Sequence, residues 1–341
     1  MKLVYKKNSS HTDLLVCSIH CRKKMTNGSS HTQSGYSCLS LLPFGMPWWS
    51  RIFLALIFAV VALAGVVANS VLIYALYKTN QFVSITHKFV LFMNLSDLCS
   101  GVISLPLIIV LVTMEQRVCS FDLAMQLVVF LFGYFSLFML MTISVDRYIH
   151  VMKLNRYNSF MNTFRMKLII AVIIVTSVAL AYLTIAIPSF YFQLTMNLSN
   201  LICVGCTFWV YCAISRKISV HSENFQRMLK SLNVSNPMKE TKRELSSTKT
   251  IRLLLGALFV LYFPYNIVSL VYVYSKYSLR RDPTLAVKFL LCCSYAFVFV
   301  NSSANAVIYA YGNTAVRRFI QRQFNKVHDL ANATTSETQR S

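Results

Sequence analysis

Ser144-Val145-Asp146-Arg147-Tyr148 closes an apolar run that extends from about 121 to 147. An arginine at the end of a membrane-length helix is costly to place, so such a residue marks function more often than packing. Further apolar runs cover roughly 52–77, 88–113, 167–192, 198–220, 247–275 and 284–311. Each reaches about 20 residues, enough to cross ~30 Å of hydrocarbon. The chain is 56% hydrophobic and only 13% charged, an apolar excess too large for an aqueous core. Inside a bilayer only helices satisfy their backbone within single runs, so the fold class is an all-α membrane protein, a seven-transmembrane helix bundle.

The formal charge of +22 first raises the question of nucleic acid. Its distribution answers against it. Arg156, Arg165, Lys167, Arg216, Lys217, Arg317 and Arg318 flank apolar runs, the pattern of loops that meet anionic lipid. With the N-terminus outside, inner segments hold about 21 of the Lys and Arg residues and outer segments about 12. The division expected is an extracellular disordered arm over 1–47, a membrane domain over 48–325 and a cytoplasmic tail over 326–341. The chain is thus expected to be multi-pass in the plasma membrane. Sequons on the outer side stand at Asn8, Asn27 and Asn197, the last in a very short loop between spans four and five. After span seven, Thr314 to Gln323 alternates apolar and basic residues, which suits a short amphipathic eighth helix on the inner membrane surface. Cys17, Cys21, Cys38 and Cys119 fall in outer segments, where disulfides persist, and their pairing stays open. No cysteine follows Cys293, so the tail offers no acceptor for an acyl chain.

Several motifs in chain order carry a family resemblance over about residues 50–325. Asp146-Arg147-Tyr148 ends span three. Span one holds Gly65-Val-Val-Ala-Asn69, and span two holds Asn94-Leu-Ser-Asp97-Leu. Span six holds Leu261-Tyr262-Phe263-Pro264, and span seven holds Asn305-Ala306-Val-Ile-Tyr309. This set resembles the rhodopsin-like (class A) G-protein-coupled receptors. The resemblance implies a receptor that transduces an extracellular signal to heterotrimeric G proteins through outward movement of helix six, with arrestin and a receptor kinase as further partners. It implies no catalytic chemistry, and no nucleophile motif or phosphate loop occurs in the chain.

The resemblance also assigns roles. Asp146, Arg147, Tyr148, Tyr211, Tyr262, Pro264, Asn305 and Tyr309 match its coupling and switch positions. Glu244 stands twenty residues before Pro264, the place of the acid that locks Arg147 in the inactive state, with Asp146 as the adjacent candidate. Asp97 with Ser136, Asn301 and Ser302 matches the oxygen ligands of an allosteric sodium ion, and oxygen ligands suit a hard cation. The alternative is a polar network that only joins spans two, three and seven.

Departures from the pattern narrow the group. Tyr262 replaces the usual Trp, Ala306 the usual Pro, and Cys203 the Pro of span five. The loop before span five has no Cys, so the common disulfide from span three lacks its partner, which leaves Cys119 unbridged or tied to the arm. These features show a weak resemblance to the melanocortin, adenosine, cannabinoid and lysophospholipid receptor cluster. Val129 stands where amine receptors place an acid. The expected ligand pocket comprises Val129, Phe130, Tyr262, Tyr265, Asn266 and Tyr295, with Asp122 and Glu115 at the outer rim. Its ligand, a peptide, a lipid or a small molecule, is not legible. Two rival classes remain: a transporter or channel, which would show internal repeats or several buried charges along a path, and a receptor-like scaffold that no longer signals.

Overall fold

The computed structural model describes residues 22–23, 36–37, 45–114, 119–152, 157–186, 191, 194–195, 197–210, 212–213, 216 and 238–338. Six helices among them are long and apolar enough to cross a membrane: Trp48–Lys78, Ile85–Thr113, Phe121–His150, Thr163–Leu183, Gly256–Lys276 and Leu285–Gly312. The shorter apolar helix Asn197–Val210 supplies span five. Together they form the expected seven-span bundle. Span seven packs against spans six and one, and span three against spans four and two.

The ends of span one carry amphipathic rings. Trp48 and Trp49 are 68% and 54% exposed at one end. At the other, Lys78 lies over the rings of Tyr74 and Tyr77, 5.8 and 5.9 Å from their centroids. Such residues sit where hydrocarbon meets the polar interface. Span two is broken into two α-segments, Ile85–Cys99 and Leu105–Thr113, by a π-turn at Ser100–Ser104 that precedes Pro106. Gly101 within that turn lets span one approach closely: a Cβ there would lie 2.9 Å from Val66 Cγ2.

The interior divides into two apolar clusters. One holds Phe58, Ile108, Met125, Phe130, Tyr134, Tyr265 and Tyr295 and lies toward Asp122. The other holds Leu72, Phe89, Met139, Ile143, Leu258, Tyr262 and Val316 and lies toward Arg147. Asn69, Asp97, Ser136, Asn301 and Asn305 fall between these two groups on their own helices, and all are buried. A polar layer therefore crosses the bundle at mid-height.

Four expectations change. Within the arm over 1–47, Arg22–Lys23 and Tyr36–Ser37 form an antiparallel two-stranded pair. Span six begins earlier than 247, in a helix running Met238–Val273 with Pro264 inside it, because Lys239, Glu240, Lys242, Arg243 and Glu244 are strong helix formers. The eighth helix is not short: it runs Thr314–Thr338, 25 residues, across the expected tail boundary at 326. Asn197 does not sit in a loop. It is 2% exposed, and its Nδ2 donates to Ser269 Oγ of span six at 3.1 Å. A glycan needs a surface asparagine, so the sequon at Asn197 is closed by packing. Asn8 and Asn27 lie outside the described residues.

Candidate functional site: a buried polar relay between two ends of the bundle

At mid-height, Ser136 Oγ donates to Asp97 Oδ1 at 2.6 Å. Asn69 Nδ2 donates to Gly65 O at 2.8 Å and to Ser302 Oγ at 3.3 Å. Ser302 Oγ in turn reaches the Asp97 carbonyl at 3.5 Å. Spans one, two, three and seven thus meet around one residue, Asp97, with Ser136 on its carboxylate and Ser302 on its carbonyl. Asn305 stands beside the same carboxylate. Asp97 Oδ2, Asn301 Oδ1 and both polar atoms of Asn305 are buried without a hydrogen-bond partner. Buried polar atoms are normally satisfied, so these oxygens leave coordination capacity around a negative charge. That donor set fits a hard monovalent cation or water and does not fit a soft metal. Three of the four residues expected to ligate sodium, Asp97, Ser136 and Ser302, meet there, and Asn301 is buried one residue before Ser302.

The Arg147 end differs from expectation. Asp146 is buried and does not serve Arg147. Thr86 Oγ1 donates to its Oδ2 at 2.6 Å, and the Tyr157 hydroxyl donates to its Oδ1 at 2.7 Å. Adjacent helical residues do not face each other, which is why Asp146 turns toward span two and the short helix Tyr157–Phe160. The ring of His150 meets Tyr157 edge-on at 4.8 Å. Burial first, and then the bond to Asp146, push the Tyr157 phenol above its ordinary range. It therefore donates at neutral pH. Among the described residues Arg147 has no ion-pair partner within 4 Å. The Glu244 side chain and Tyr211 lie outside the described residues, and so does their part in a lock. Tyr148 meets Trp209 of span five, with ring centroids 6.1 Å apart. The Tyr309 hydroxyl is buried without a hydrogen-bond partner.

Thr86 and Tyr157 were not singled out in the sequence. Tyr157 follows Arg156 in a polar stretch that reads as loop, and Thr86 opens span two like any β-branched residue. Only the fold brings both to Asp146.

At the opposite end, Val129, Phe130, Tyr265, Asn266 and Tyr295 are all buried. The Tyr265 and Tyr295 rings are 4.8 Å apart and tilted, with their hydroxyls 3.4 Å apart. Asn266 Nδ2 donates to the Tyr262 carbonyl at 2.9 Å, and its Oδ1 is buried without a hydrogen-bond partner. Two residues depart from their expected places. Tyr262 packs in the cluster toward Arg147 rather than with the pocket aromatics. Asp122 is 0% exposed, so it is a buried carboxylate and not a solvated rim charge; Glu115 lies outside the described residues. Ala306 is 1% exposed within the continuous helix Leu285–Gly312, as the loss of a kink residue requires.

The sequence model of the seven-transmembrane receptors of the rhodopsin family matches residues 68–194. Galanin receptor 2a of Danio rerio is 23% identical, with 83% of this chain and 84% of that receptor covered. Adenosine receptor A2a of Canis lupus familiaris is 31% identical over 39% of this chain and 31% of its own length. In fold the chain is similar to squid rhodopsin, with a TM-score of 0.68 at 17% identity, covering 83% of this chain and 88% of that one. The adenosine receptors belong to the cluster expected from the sequence; the galanin receptors do not. With its Asp146-Arg147-Tyr148 end, its Asp97 layer and its seven spans, the chain is similar to the rhodopsin-like (class A) G-protein-coupled receptors, and the matched sequence model, the galanin and adenosine receptor relatives and the rhodopsin-like fold support that family.

Proposed function

We propose that this receptor carries a signal from a ligand held among Phe130, Tyr265, Asn266 and Tyr295 to a heterotrimeric G protein that docks at Arg147. The observation that carries this reading is the division of labour within Asp146-Arg147. Thr86 and Tyr157 take both carboxylate oxygens of Asp146. The guanidinium beside it is left to exchange partners. Arginine is always charged and carries a rigid fork of donors, so it can leave one acceptor set and engage another on an arriving protein.

In this reading the Asp122 end and the N-terminal arm face outside the cell, the Arg147 end faces the cytoplasm, and the membrane is the plasma membrane. The excess of Lys and Arg in the inner segments supports that orientation. Pro264 removes a backbone hydrogen bond in span six and gives the helix a bend about which its inner half swings. Glu244 is the acid that restrains Arg147 before the swing. A sodium ion held by Asp97, Ser136, Asn301 and Ser302 favours the inactive state; its support is the pair of buried, unsatisfied oxygens on Asp97 and Asn301. The hydroxyls of Thr334, Thr335, Ser336 and Thr338 are acceptors for a receptor kinase, and the phosphorylated segment is a site for arrestin.

The test is a screen of peptides, lipids and small molecules against the expressed receptor with a G-protein dissociation readout, followed by Arg147→Ala. The variant is expected to lower ligand-driven activation by more than about tenfold, or ~1.4 kcal/mol of bias, at equal surface expression and unchanged ligand affinity. A wild type that drives no G protein under any ligand leaves the silent-scaffold reading, which Tyr262 and Ala306 would favour.

A further inference from the structure

The rim of the aromatic pocket is basic. Span six ends in a π-turn, Tyr274–Ser278, and span seven begins at Leu285. Across these two ends stand Lys276, Arg280, Arg281 and Lys288, with Asp282 as the one acid. Lys288 Nζ pairs with Asp282 Oδ2 at 2.7 Å. The Lys288 side chain is 12% exposed and that of Asp282 82%, so the ammonium lies inward and the carboxylate out in solvent. Lys276 is within electrostatic reach of both groups. Its Nζ sits 5.4 Å from the centroid of the Tyr272 ring and donates to the Tyr272 hydroxyl at 3.4 Å. Tyr272 and Phe289, the neighbour of Lys288, pack against the cluster that holds Phe130, Tyr265 and Tyr295. Two lysines therefore share one carboxylate at the edge of the pocket aromatics.

Three features set this rim apart from an ordinary solvated face. A cation near the start of a helix opposes the helix dipole. Lys288 is nevertheless the fourth residue of Leu285–Gly312, whose first turn holds no acid. Arg280 takes the left-handed backbone, φ 51°, which a non-glycine residue adopts at a cost, and it stands exposed beside the exposed Arg281. The outer segments as a whole carry about 12 Lys and Arg against Asp13, Glu115, Asp122 and Asp282. Asp122 is buried and so withdrawn from that balance. A surface of one sign raises the local concentration of the opposite ion and speeds its arrival.

We propose that the ligand of this pocket is an amphiphilic anion, its carboxylate or phosphate monoester seated between Lys276 and Lys288 and its apolar body against Tyr272, Phe289 and the tyrosines beneath. The lysines supply compact point charges that accept either head. The same charges reject a cationic head, which would face two ammonium groups. The proposal deepens, and rests on, the reading of this end of the bundle as the ligand site.

The test uses the full chain in phosphatidylcholine nanodiscs and a probe set with one apolar body and different heads: phenylbutanoate, phenylbutyl phosphate, phenylbutanol and phenylbutylamine. Thermal unfolding is followed at rising probe concentration, because a ligand that binds the folded state alone raises the midpoint. The carboxylate, the phosphate or both are expected to raise it, less so in added salt, and the alcohol and the amine are not. Which anion acts at the lower concentration identifies the head. K276Q/K288Q is expected to lower anion affinity by more than about tenfold, with its midpoint in the absence of probe close to that of wild type, since an exposed ion pair holds little stability. Asp282→Asn should act in the opposite direction: with the competing carboxylate gone, anion affinity rises roughly threefold, a gain that a merely structural Lys288–Asp282 pair would not give. Equal shifts from every probe would show that the aromatics suffice, and would overturn the proposal. So would no shift from any probe, a preference for the amine, or unchanged anion affinity in K276Q/K288Q. Signalling is not read in this assay, so failure of the receptor reading shows separately, as silence in the Arg147 G-protein screen.

Discussion

Both ends of span three bear a buried carboxylate, set in different surroundings. Asp146 is held by hydroxyls from span two and from the helix Tyr157–Phe160, whereas Asp122 is 0% exposed in the end of the bundle lined by Met125, Phe130, Tyr265 and Tyr295. At the first end two hydroxyls from other segments hold the carboxylate; at the second, large aromatic side chains pack around the helix. Under the proposed function, the difference separates a receptor's two tasks. A coupling end must switch between discrete arrangements, which hydrogen-bonded carboxylates provide. A ligand end must offer area and a few polar contacts, which tyrosines and Asn266 provide.

The largest test of that comparison lies at the layer joining the ends. In the wild type, replacing sodium with a bulky organic cation should raise agonist affinity, because an ion that favours the inactive state and an agonist that favours the active one must oppose each other. Asp97→Asn should erase that dependence, a change from about tenfold to none, equivalent to ~1.4 kcal/mol of coupling. Radioligand binding in the two salts measures it. A wild type indifferent to sodium would make the layer a packing network only.

A second effect, read in stability rather than in affinity, is expected at the coupling end. Tyr157→Phe removes the donor to Asp146 Oδ1 and leaves a buried carboxylate oxygen unsatisfied, a loss of about 1–3 kcal/mol. Thermal unfolding in detergent should show it, with Thr86→Val giving a similar loss. The pH dependence has a definite sign. The phenol is raised in the folded state, so its contribution is fully present below the ordinary tyrosine value of about 10 and fades as the pH rises beyond it. Stability of the wild type should therefore not vary with pH through this group near neutrality, and the gap between wild type and Tyr157→Phe should close only in alkaline solution.

The smallest effect is expected at the ligand end. Tyr295→Phe removes one member of a hydroxyl pair already 3.4 Å apart, worth about 0.5–1.5 kcal/mol. Agonist affinity should shift by less than about tenfold, and ligand-independent activity at Arg147 should stay unchanged. A change in basal activity on Tyr295→Phe would erase the distinction between the two ends.

The sequence by itself determined the membrane class, the helix count and the positions of Asp97, Arg147, Pro264 and Asn305. The physical reason is local. Backbone in hydrocarbon must be helical, and a charge or a proline in such a helix stands out against its apolar neighbours. The family resemblance, read by offsets from Arg147 and Asn305, then assigns Ser136 and Asn301 to the layer of Asp97. Other facts required the tertiary structure. That Asp146 answers to Thr86 and Tyr157 depends on which segment lies across from it. The burial of Asp122 and Asn197 depends on how neighbouring helices close over them, and a polar residue near a span end reads the same whether it faces solvent or protein. Tyr262 changed clusters for a similar reason: its depth was legible from Pro264, but the neighbours at that depth were not. Finally, the eighth helix continues to Thr338 although the alternation that announced it was read only to Gln323, because helix formers propagate a helix beyond the stretch whose pattern reveals it.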